Sequence, residues 1–161
     1  HAYHRRQRQM CIRDRIFGCQ SESENNDHWG GMSPDLISAV DISDYPKILS
    51  HSPTFYDENN NEINFINALI QNGVNTIRLR LWVNPADESS SLEEVKEFSN
   101  ELRSMGFKIW ITPHFSDTWA HPGQQQIPSN WESLNFEELK NQLYAHTNQI
   151  MSEINPDYIQ I

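Results

Sequence analysis

The sequence predicts an α/β fold: a truncated (β/α)8 barrel, of which these residues hold about the first four strands and three helices. Two observations support this. Predicted strands and helices alternate along the chain, so each helix returns the chain to the same edge and the sheet should be parallel. About 130 residues follow the polar N-terminal stretch, whereas a complete barrel needs about 250.

Four short apolar runs are predicted as strands: 36–43, 76–83, 107–112 and 157–161, the last being the start of a strand. The second run, TIRLRLWV, alternates between two faces. Its apolar face consists of Ile77, Leu79 and Leu81, and its other face of Arg78, Arg80 and Trp82.

Three helices are predicted between the strands, over 62–73, 91–106 and 135–154, because apolar residues recur there at three- and four-residue spacing. Ser91 and Glu94 predict a capping box for the second helix, and Asn135 is the predicted N-cap of the third. The predicted apolar stripe of the third helix is Phe136, Leu139, Leu143, Ile150 and Ile154.

Two closures of the sheet compete, an open doubly wound sheet and a barrel. No glycine-rich phosphate loop follows the first strand, which disfavours the doubly wound sheet. The arginines of the second strand favour the barrel, because inward polar side chains at a barrel mouth can serve a ligand.

The charge of the chain is unevenly distributed. The net charge is −10, but residues 1–15 hold five arginines and one aspartate, which leaves −14 for residues 16–161. An acidic body repels a phosphate backbone, so nucleic acid is excluded as a partner. Residues 1–15 share no periodicity with the remainder of the chain and are interpreted as a non-native, artefactual basic tail; a basic arm for an anionic surface is the alternative.

Residues 16–34 are interpreted as a lipoprotein-like tether. Ile-Phe-Gly-Cys, ending at Cys19, matches the end of a bacterial lipoprotein signal, and a Ser/Glu/Asn-rich stretch comes after it. The apolar segment that should precede such a box is replaced by the basic string. Cys19 is therefore a candidate for lipidation, and an extracellular or bacterial cell-surface location is expected. Residues 35–161 form the predicted barrel portion.

Candidate binding residues lie at the carboxyl ends of the predicted strands, where ligands gather in parallel α/β folds. They are Asp41, Arg78, Arg80, Trp82, His114, Asp117 and Trp119. Several of these residues also have a purely structural interpretation. Asp41 could cap a turn, the two arginines could pair with Asp41 or Asp117, and Trp82 could belong to the core. Trp119 fits a sugar-stacking platform better.

The loop from His114 to Leu134 is about 20 residues with no predicted helix, a length that is usually functional. His114, Asp117 and His121 raise the question of a metal site. They lack the helical spacing that presents two histidines together, so no metal site is predicted.

Several stretches together resemble the arabinogalactan endo-β-1,4-galactanases of glycoside hydrolase family 53. They are VDIS (40–43), FYDENNNEINFINALIQNGVNTIRLRLWVNP (55–85), HFSDTWAHPGQQ (114–125), NWESLNFEELKNQLYAHT (130–147) and PDYIQI (156–161). The combination of R-x-R-x-W-V-N-P with H-x-S-D-T-W-A is specific. The chain departs from the family pattern at Ala39, Thr112 and His121.

The resemblance implies a (β/α)8 barrel that cleaves internal β-1,4-galactosyl links with retention of configuration. It implies a sugar site lined by Asp41, Arg80, His114, Asp117 and Trp119, with Arg78 and Trp82 close by. It places the catalytic acid/base in a G-N-E string after the fourth strand and the nucleophile at the end of the seventh. Both glutamates would lie beyond Ile161, so the chain alone is expected to be inactive.

Two other functions remain open: another retaining barrel glycosidase, such as a mannanase, and a non-catalytic carbohydrate-binding protein. No cofactor is expected for this segment, although family analogy allows a calcium site in the second half of the barrel. The expected partner is β-1,4-galactan or arabinogalactan, together with a lipid anchor through Cys19.

Overall fold

The computed structural model of the chain describes residues 36–119, 123 and 126–161. Its elements in chain order are β1 (Ala39–Asp41), α1 (Tyr45–Leu49), β2 (Phe55–Tyr56), β3 (Glu62–Ile63), α2 (Phe65–Gln71), β4 (Thr76–Trp82), α3 (Leu92–Ser104), β5 (Lys108–His114), a 3-10 turn (Ser129–Trp131), α4 (Phe136–Glu153) and β6 (Tyr158–Ile159). The predicted tail and tether, Cys19 and His121 lie outside the described residues.

Four strands form one parallel sheet in the order β1–β4–β5–β6, which is also their order along the chain. A doubly wound sheet reverses its order at a switch point, where the chain crosses to the other edge. The four described strands show no such reversal, and every crossover between them contains a helix. The sheet therefore winds as a (β/α)8 barrel does, and the predicted α/β class with a parallel sheet is confirmed.

The core lies on the face of the sheet that the helices cover. Ile77, Leu79 and Leu81 of β4 are at most 1% exposed, and Ile109 and Ile111 of β5 are fully buried beside them. Helices α3 and α4 add further buried apolar residues to this layer: Val95, Phe98, Leu102, Ile150 and Ile154. The alternation predicted for β4 is thereby confirmed, and Arg78, Arg80 and Trp82 occupy the opposite face.

The crossover between β1 and α2 contains more structure than the sequence predicted. It holds the short helix α1 and an antiparallel hairpin of β2 and β3. Asp57 organises the hairpin turn, because its Oδ1 accepts hydrogen bonds from the N–H groups of Asn59 and Asn61, both at 2.8 Å. The Tyr45 ring packs on Phe65 at 5.3 Å between centroids and so anchors the crossover to the core.

The helix caps agree with the sequence signals, with one shift. Asn135 and Glu138 form the complete capping box of α4. At α3, the Ser91 side chain accepts from the N–H of Glu94 as predicted, at 3.3 Å. The Glu94 carboxylate, however, accepts from the N–H of Ser90 rather than from that of Ser91. The reciprocal half of the box therefore stabilises the loop before the helix.

Two features of the last third of the chain refine the prediction: part of the α4 stripe is exposed, and the loop after β5 holds a helical turn. Phe136 is 75% exposed and Leu143 is 38% exposed, so the buried stripe of α4 is confined to its second half. The first half faces the loop after β5, where Leu139 and Leu143 line a shallow groove. That loop also contains a helical turn, Ser129–Trp131, whose buried Trp131 holds it in place.

Candidate functional site

The polar faces of β1, β4 and β5 meet at the carboxyl end of the sheet. Strand register places Asp41 beside Arg78 and Trp82 beside His114. Because successive residues of a strand point to opposite faces, Arg78, Arg80 and Trp82 share a face with Thr112 and His114. The structure thus brings the predicted strand residues together at one edge.

Asp41 and Arg78 form an ion pair across β1 and β4, with Arg78 Nη1 donating to Asp41 Oδ2. Ser43 supports the pair, because its hydroxyl donates to Asp41 Oδ1 at 2.6 Å. Partial burial alone would raise the pKa of the Asp41 carboxyl, but the Ser43 hydrogen bonds and the Arg78 guanidinium outweigh it and hold the pKa below its usual value. Asp41 is therefore ionised and unsuited to be a proton donor at neutral pH.

Arg80 is held between two tryptophans. Its guanidinium carbon lies 4.3 Å from the ring centroid of Trp82 and 4.3 Å from that of Trp119. Nη2 donates to Asp44 Oδ1 at 2.7 Å and to Ser90 Oγ at 3.3 Å. Only 4% of Arg80 is exposed, and its buried Nε has no hydrogen-bond partner in the described part of the chain. The rings and the carboxylate fix the plane of this cation.

Trp119 forms the outer wall of this arrangement. Its ring meets the Trp82 ring edge-on at 5.6 Å and the His114 ring edge-on at 6.0 Å. It nevertheless remains 57% exposed. An aromatic ring that is fixed by its neighbours and still open to solvent suits stacking against the apolar face of a sugar.

His114 lies beside Trp119 in an electropositive setting. Burial, with a further effect of the positive charges of Arg80 and Arg78, lowers the pKa of its imidazole, against a smaller opposing effect of Asp41. The ring is consequently neutral at pH 7, with one nitrogen able to donate and the other able to accept a hydrogen bond. This is the form that can orient a hydroxyl or a carboxylate.

Asp117 does not pair with an arginine, which was the structural alternative to its predicted role in binding. Its Oδ2 accepts from both the N–H and the hydroxyl of Ser129, at 2.8 and 2.7 Å. It therefore ties the start of the long loop to its end and is not the partner of Arg80. That partner is Asp44, which the sequence analysis missed although it stands only three residues after Asp41 at the same strand end.

A cavity of about 430 Å³ opens beside Arg80 and the two tryptophan rings that enclose its guanidinium. Its walls come from the loops after β1, β4 and β5, and they include Asp44, Asp87, Arg80, Trp82 and Trp119. Asp41, Arg78 and His114 do not line this cavity. The contact between Arg80 and Trp119 separates it from those three residues.

Among residues 36–119 and 126–161, no three histidine, cysteine, aspartate or glutamate side chains lie close enough together to hold a metal ion. His121, the third residue of the metal question, is outside the described part. Within that part, no helix is long and apolar enough to cross a membrane.

A parallel strand–helix repeat with polar and aromatic side chains gathered at the carboxyl ends of its strands defines the class of α/β barrels with a ligand site at that end. Within that class, the chain belongs to glycosyl hydrolase family 53, whose model matches residues 37–161. The resemblance seen in the sequence motifs is confirmed.

Individual relatives agree with this assignment. The chain is 30% identical to an endo-beta-1,4-galactanase of Bacillus subtilis over 139 residues, which are 81% of this chain and 32% of that protein. It is 43% identical over 79 residues to arabinogalactan endo-beta-1,4-galactanase A of Emericella nidulans, covering 49% of this chain and 23% of that one. The chain thus spans a third or less of these relatives.

The fold comparison agrees as well. The solved Ignisphaera aggregans GH53 catalytic domain superposes with a TM-score of 0.72 at 36% identity, covering 83% of this chain and 41% of that domain. The sheet described above is therefore a portion of the family's barrel, as predicted.

Proposed function

We propose that the protein hydrolyses internal β-1,4-galactosidic bonds of galactan with retention of configuration, and that residues 36–161 supply one wall of its sugar-binding site. The observation that carries the proposal is the contact network at the carboxyl edge. Asp41, Arg78, Arg80, His114 and Trp119 come from three adjacent strands and their loops and form one continuous cluster, in which Ser43 joins the Asp41–Arg78 pair to Arg80 by hydrogen bonds. Family membership and the names of the relatives supply the reaction.

The roles differ along this wall. Trp119 would stack on a sugar ring, while neutral His114 and ionised Asp41 would bind hydroxyl groups. Arg78 and Arg80 place guanidinium groups beside Asp41 and Asp44, and a guanidinium stabilises a nearby carboxylate in its ionised form. A retaining mechanism needs such a carboxylate as its nucleophile.

The catalytic pair itself is not found in the described wall. Retaining hydrolysis needs two carboxyl groups about 5–5.5 Å apart, one of them protonated. Asp41 and Asp44 are each paired with an arginine, and Asp117 accepts two hydrogen bonds from Ser129. We therefore propose that this wall binds and orients substrate, and that residues 36–161 alone do not hydrolyse galactan.

The proposal is tested with the complete product of the gene that encodes this chain. It should release oligosaccharides from β-1,4-galactan, and proton NMR of the first products should show the β-anomer. Preference for β-1,4-mannan would favour the second candidate, another retaining barrel glycosidase. Binding of galactan without any turnover would favour a carbohydrate-binding protein and contradict the proposal.

A variant pair locates the site. Trp119→Ala should raise the KM for galactan about tenfold, because a stacking surface is lost and Arg80 is uncovered. Tyr144→Ala is the matched control, since Tyr144 is a 71% exposed aromatic residue on α4. Equal effects of the two substitutions would show that Trp119 is not part of the binding wall.

We further propose that the protein works outside the cell, anchored by a lipid on Cys19. The Ile-Phe-Gly-Cys sequence and the polar stretch after it support this. Metabolic labelling with a palmitate analogue should mark the gene product and leave the Cys19→Ser variant unlabelled. Labelling of both proteins, or of neither, would exclude this anchor.

A further inference from the structure

We propose that Glu94 is a positioning residue of the binding wall: by holding Ser90, it fixes Arg80 and Trp82 in the places that they occupy. Glu94 lies in the first turn of α3, where the sequence pattern assigns it only to a capping box. This inference deepens the proposed function, on which it rests, because it adds a residue outside the wall to those that determine the shape of the wall.

Strand β4 extends further than its neighbour β1. The two strands pair only as far as Asp41 and Arg78, whereas β4 continues to Trp82. The Arg78 carbonyl faces the β1 side, since it accepts from the N–H of Ile42, and every second residue of a strand directs its main-chain groups to the same side. The N–H groups of Arg80 and Trp82 therefore face a place where β1 has already ended.

Two serines supply the acceptors that β1 no longer provides. The N–H of Arg80 donates to Ser43 Oγ at 2.7 Å, and the N–H of Trp82 donates to the Ser90 carbonyl at 2.9 Å. Buried N–H groups need partners, so the path of β4 beyond β1 depends on where these two serines are held. Ser43 is held by Asp41 at the end of β1, whereas Ser90 belongs to the loop before α3.

Ser90 has a backbone conformation that its own side chain disfavours. Its φ is 58° and that of Glu88 is 61°, in the left-handed region that non-glycine residues rarely adopt, and only 1% of Ser90 is exposed. Such a conformation persists only where surrounding contacts determine it. At Ser90 these contacts use every polar group. The N–H donates to Glu94 Oε2 at 2.5 Å, the carbonyl accepts from Trp82, and the hydroxyl accepts from Arg80 Nη2 at 3.3 Å.

Of these three contacts, only the one with Glu94 comes from outside β4. Its acceptor is a carboxylate, and a hydrogen bond to an ionised acceptor is about twice as strong as one between neutral groups. Helix α3 is itself anchored in the core, with Leu102 fully buried. Glu94 therefore fixes Ser90 relative to α3, and Ser90 in turn fixes the side chain of Arg80 and the backbone of Trp82.

Two substitutions in the complete gene product separate the reach of Glu94 from its charge. Glu94→Asp keeps the charge at the start of α3 but shortens the side chain by a methylene group, so the contact with Ser90 is lost. Glu94→Gln removes the charge but keeps the length of the side chain and one oxygen, so an acceptor for the N–H of Ser90 remains. Glu93→Asp is the matched control, because Glu93 is an exposed acid in the same helical turn.

Near-UV circular dichroism reports on the site without any substrate. The difference spectrum between the parent and Trp119→Phe defines the signal of the Trp82 and Trp119 rings, which meet edge-on at 5.6 Å. We expect Glu94→Asp to lose most of this signal and to raise the KM for galactan about fivefold with kcat nearly unchanged, because uniform binding is lost. Glu94→Gln should keep the signal, with a KM within about twofold of that of the parent. Glu93→Asp should match the parent in both measurements.

Thermal unfolding shows that each variant is folded. If Glu94→Asp keeps both the ring signal and the KM of the parent, or if Glu93→Asp changes them to the same extent, the inference is overturned and the proposed function stands. A parent that does not hydrolyse galactan contradicts the proposed function. In that case, loss of the ring signal in Glu94→Asp but not in Glu93→Asp would still establish the positioning role of Glu94.

Discussion

At the residue scale, the sequence predicted which residues lie at the site better than it predicted their ion-pair partners. Asp41, Arg78, Arg80 and His114 could be placed at one edge because period-two alternation and the parallel order of strands determine it. The ion-pair partner of Arg80 could not be predicted. Asp44 and Asp117 both come after strand ends, and loop geometry decides which one reaches the guanidinium. The position of the Arg80 guanidinium between the rings of Trp82 and Trp119 depends on the same loop geometry.

Thr112 illustrates how a departure from the family pattern acts on its surroundings. It lies beside Arg80 in strand register on the inward face. Its hydroxyl is buried and has no hydrogen-bond partner among the residues that the structure describes. An uncharged residue at this position adds no carboxylate beside Arg80, so the guanidinium is left to Asp44.

A pH prediction belongs to His146. Its ring packs edge-on against Trp131 at 5.7 Å and near Phe115 at 6.4 Å, and its Nε2 is buried with no partner in the described part of the chain. Burial lowers the pKa of this imidazole below 6.5. The unfolded chain therefore binds a proton more readily than the folded one. The free energy of unfolding should fall as the pH drops below about 6.5 and through the lowered folded-state pKa.

The measurement is the unfolding temperature of the gene product between about pH 7 and pH 5. His146→Leu should reduce the loss of stability over this range, and the remaining dependence should come partly from His114, whose pKa is lowered in the same direction. His51→Gln, which replaces an exposed histidine, is the matched control variant. A parent profile that is flat over this range would contradict the assignment.

At the element scale, long periodic segments were predicted correctly and short ones were missed. Helices α3 and α4 carry capping signals and long apolar patterns, so their starts were found. The five-residue helix α1 and the two-residue strands β2 and β3 are too short to show a period. The run DENNN after Tyr56 was the available signal for the hairpin turn, since Asp and Asn favour such turns.

The α4 cap gives an element-scale prediction. Asn135→Ala removes the acceptor for the N–H groups of Glu137 and Glu138, so the free energy of unfolding should fall by about 1 kcal/mol. Asn141→Ala, at an exposed position inside the same helix, should instead be neutral or stabilise by a few tenths of a kcal/mol, because alanine has the higher helix propensity. Denaturant titration compares the two. Equal destabilisation would show that the cap contributes nothing specific.

At the scale of the whole molecule, the alternation of elements predicted the winding of the sheet. The sequential order β1–β4–β5–β6 results from three helical crossovers, each of which places the new strand beside the last. The half-exposed stripe of α4 could not be predicted, since a periodic pattern shows which residues share a face and not how much of that face is covered.

The packed core and the walls of the cavity lie on different parts of the chain, and this has an evolutionary consequence. Residues whose replacement would unfold the protein, such as Leu79 and Ile111, lie on strands, whereas Ala86 and Asp87 lie on exposed loops. Loop positions of this kind tolerate substitution with little loss of stability. These loops can therefore change in evolution without unfolding the sheet, and laboratory libraries that aim to alter the cavity should be confined to them.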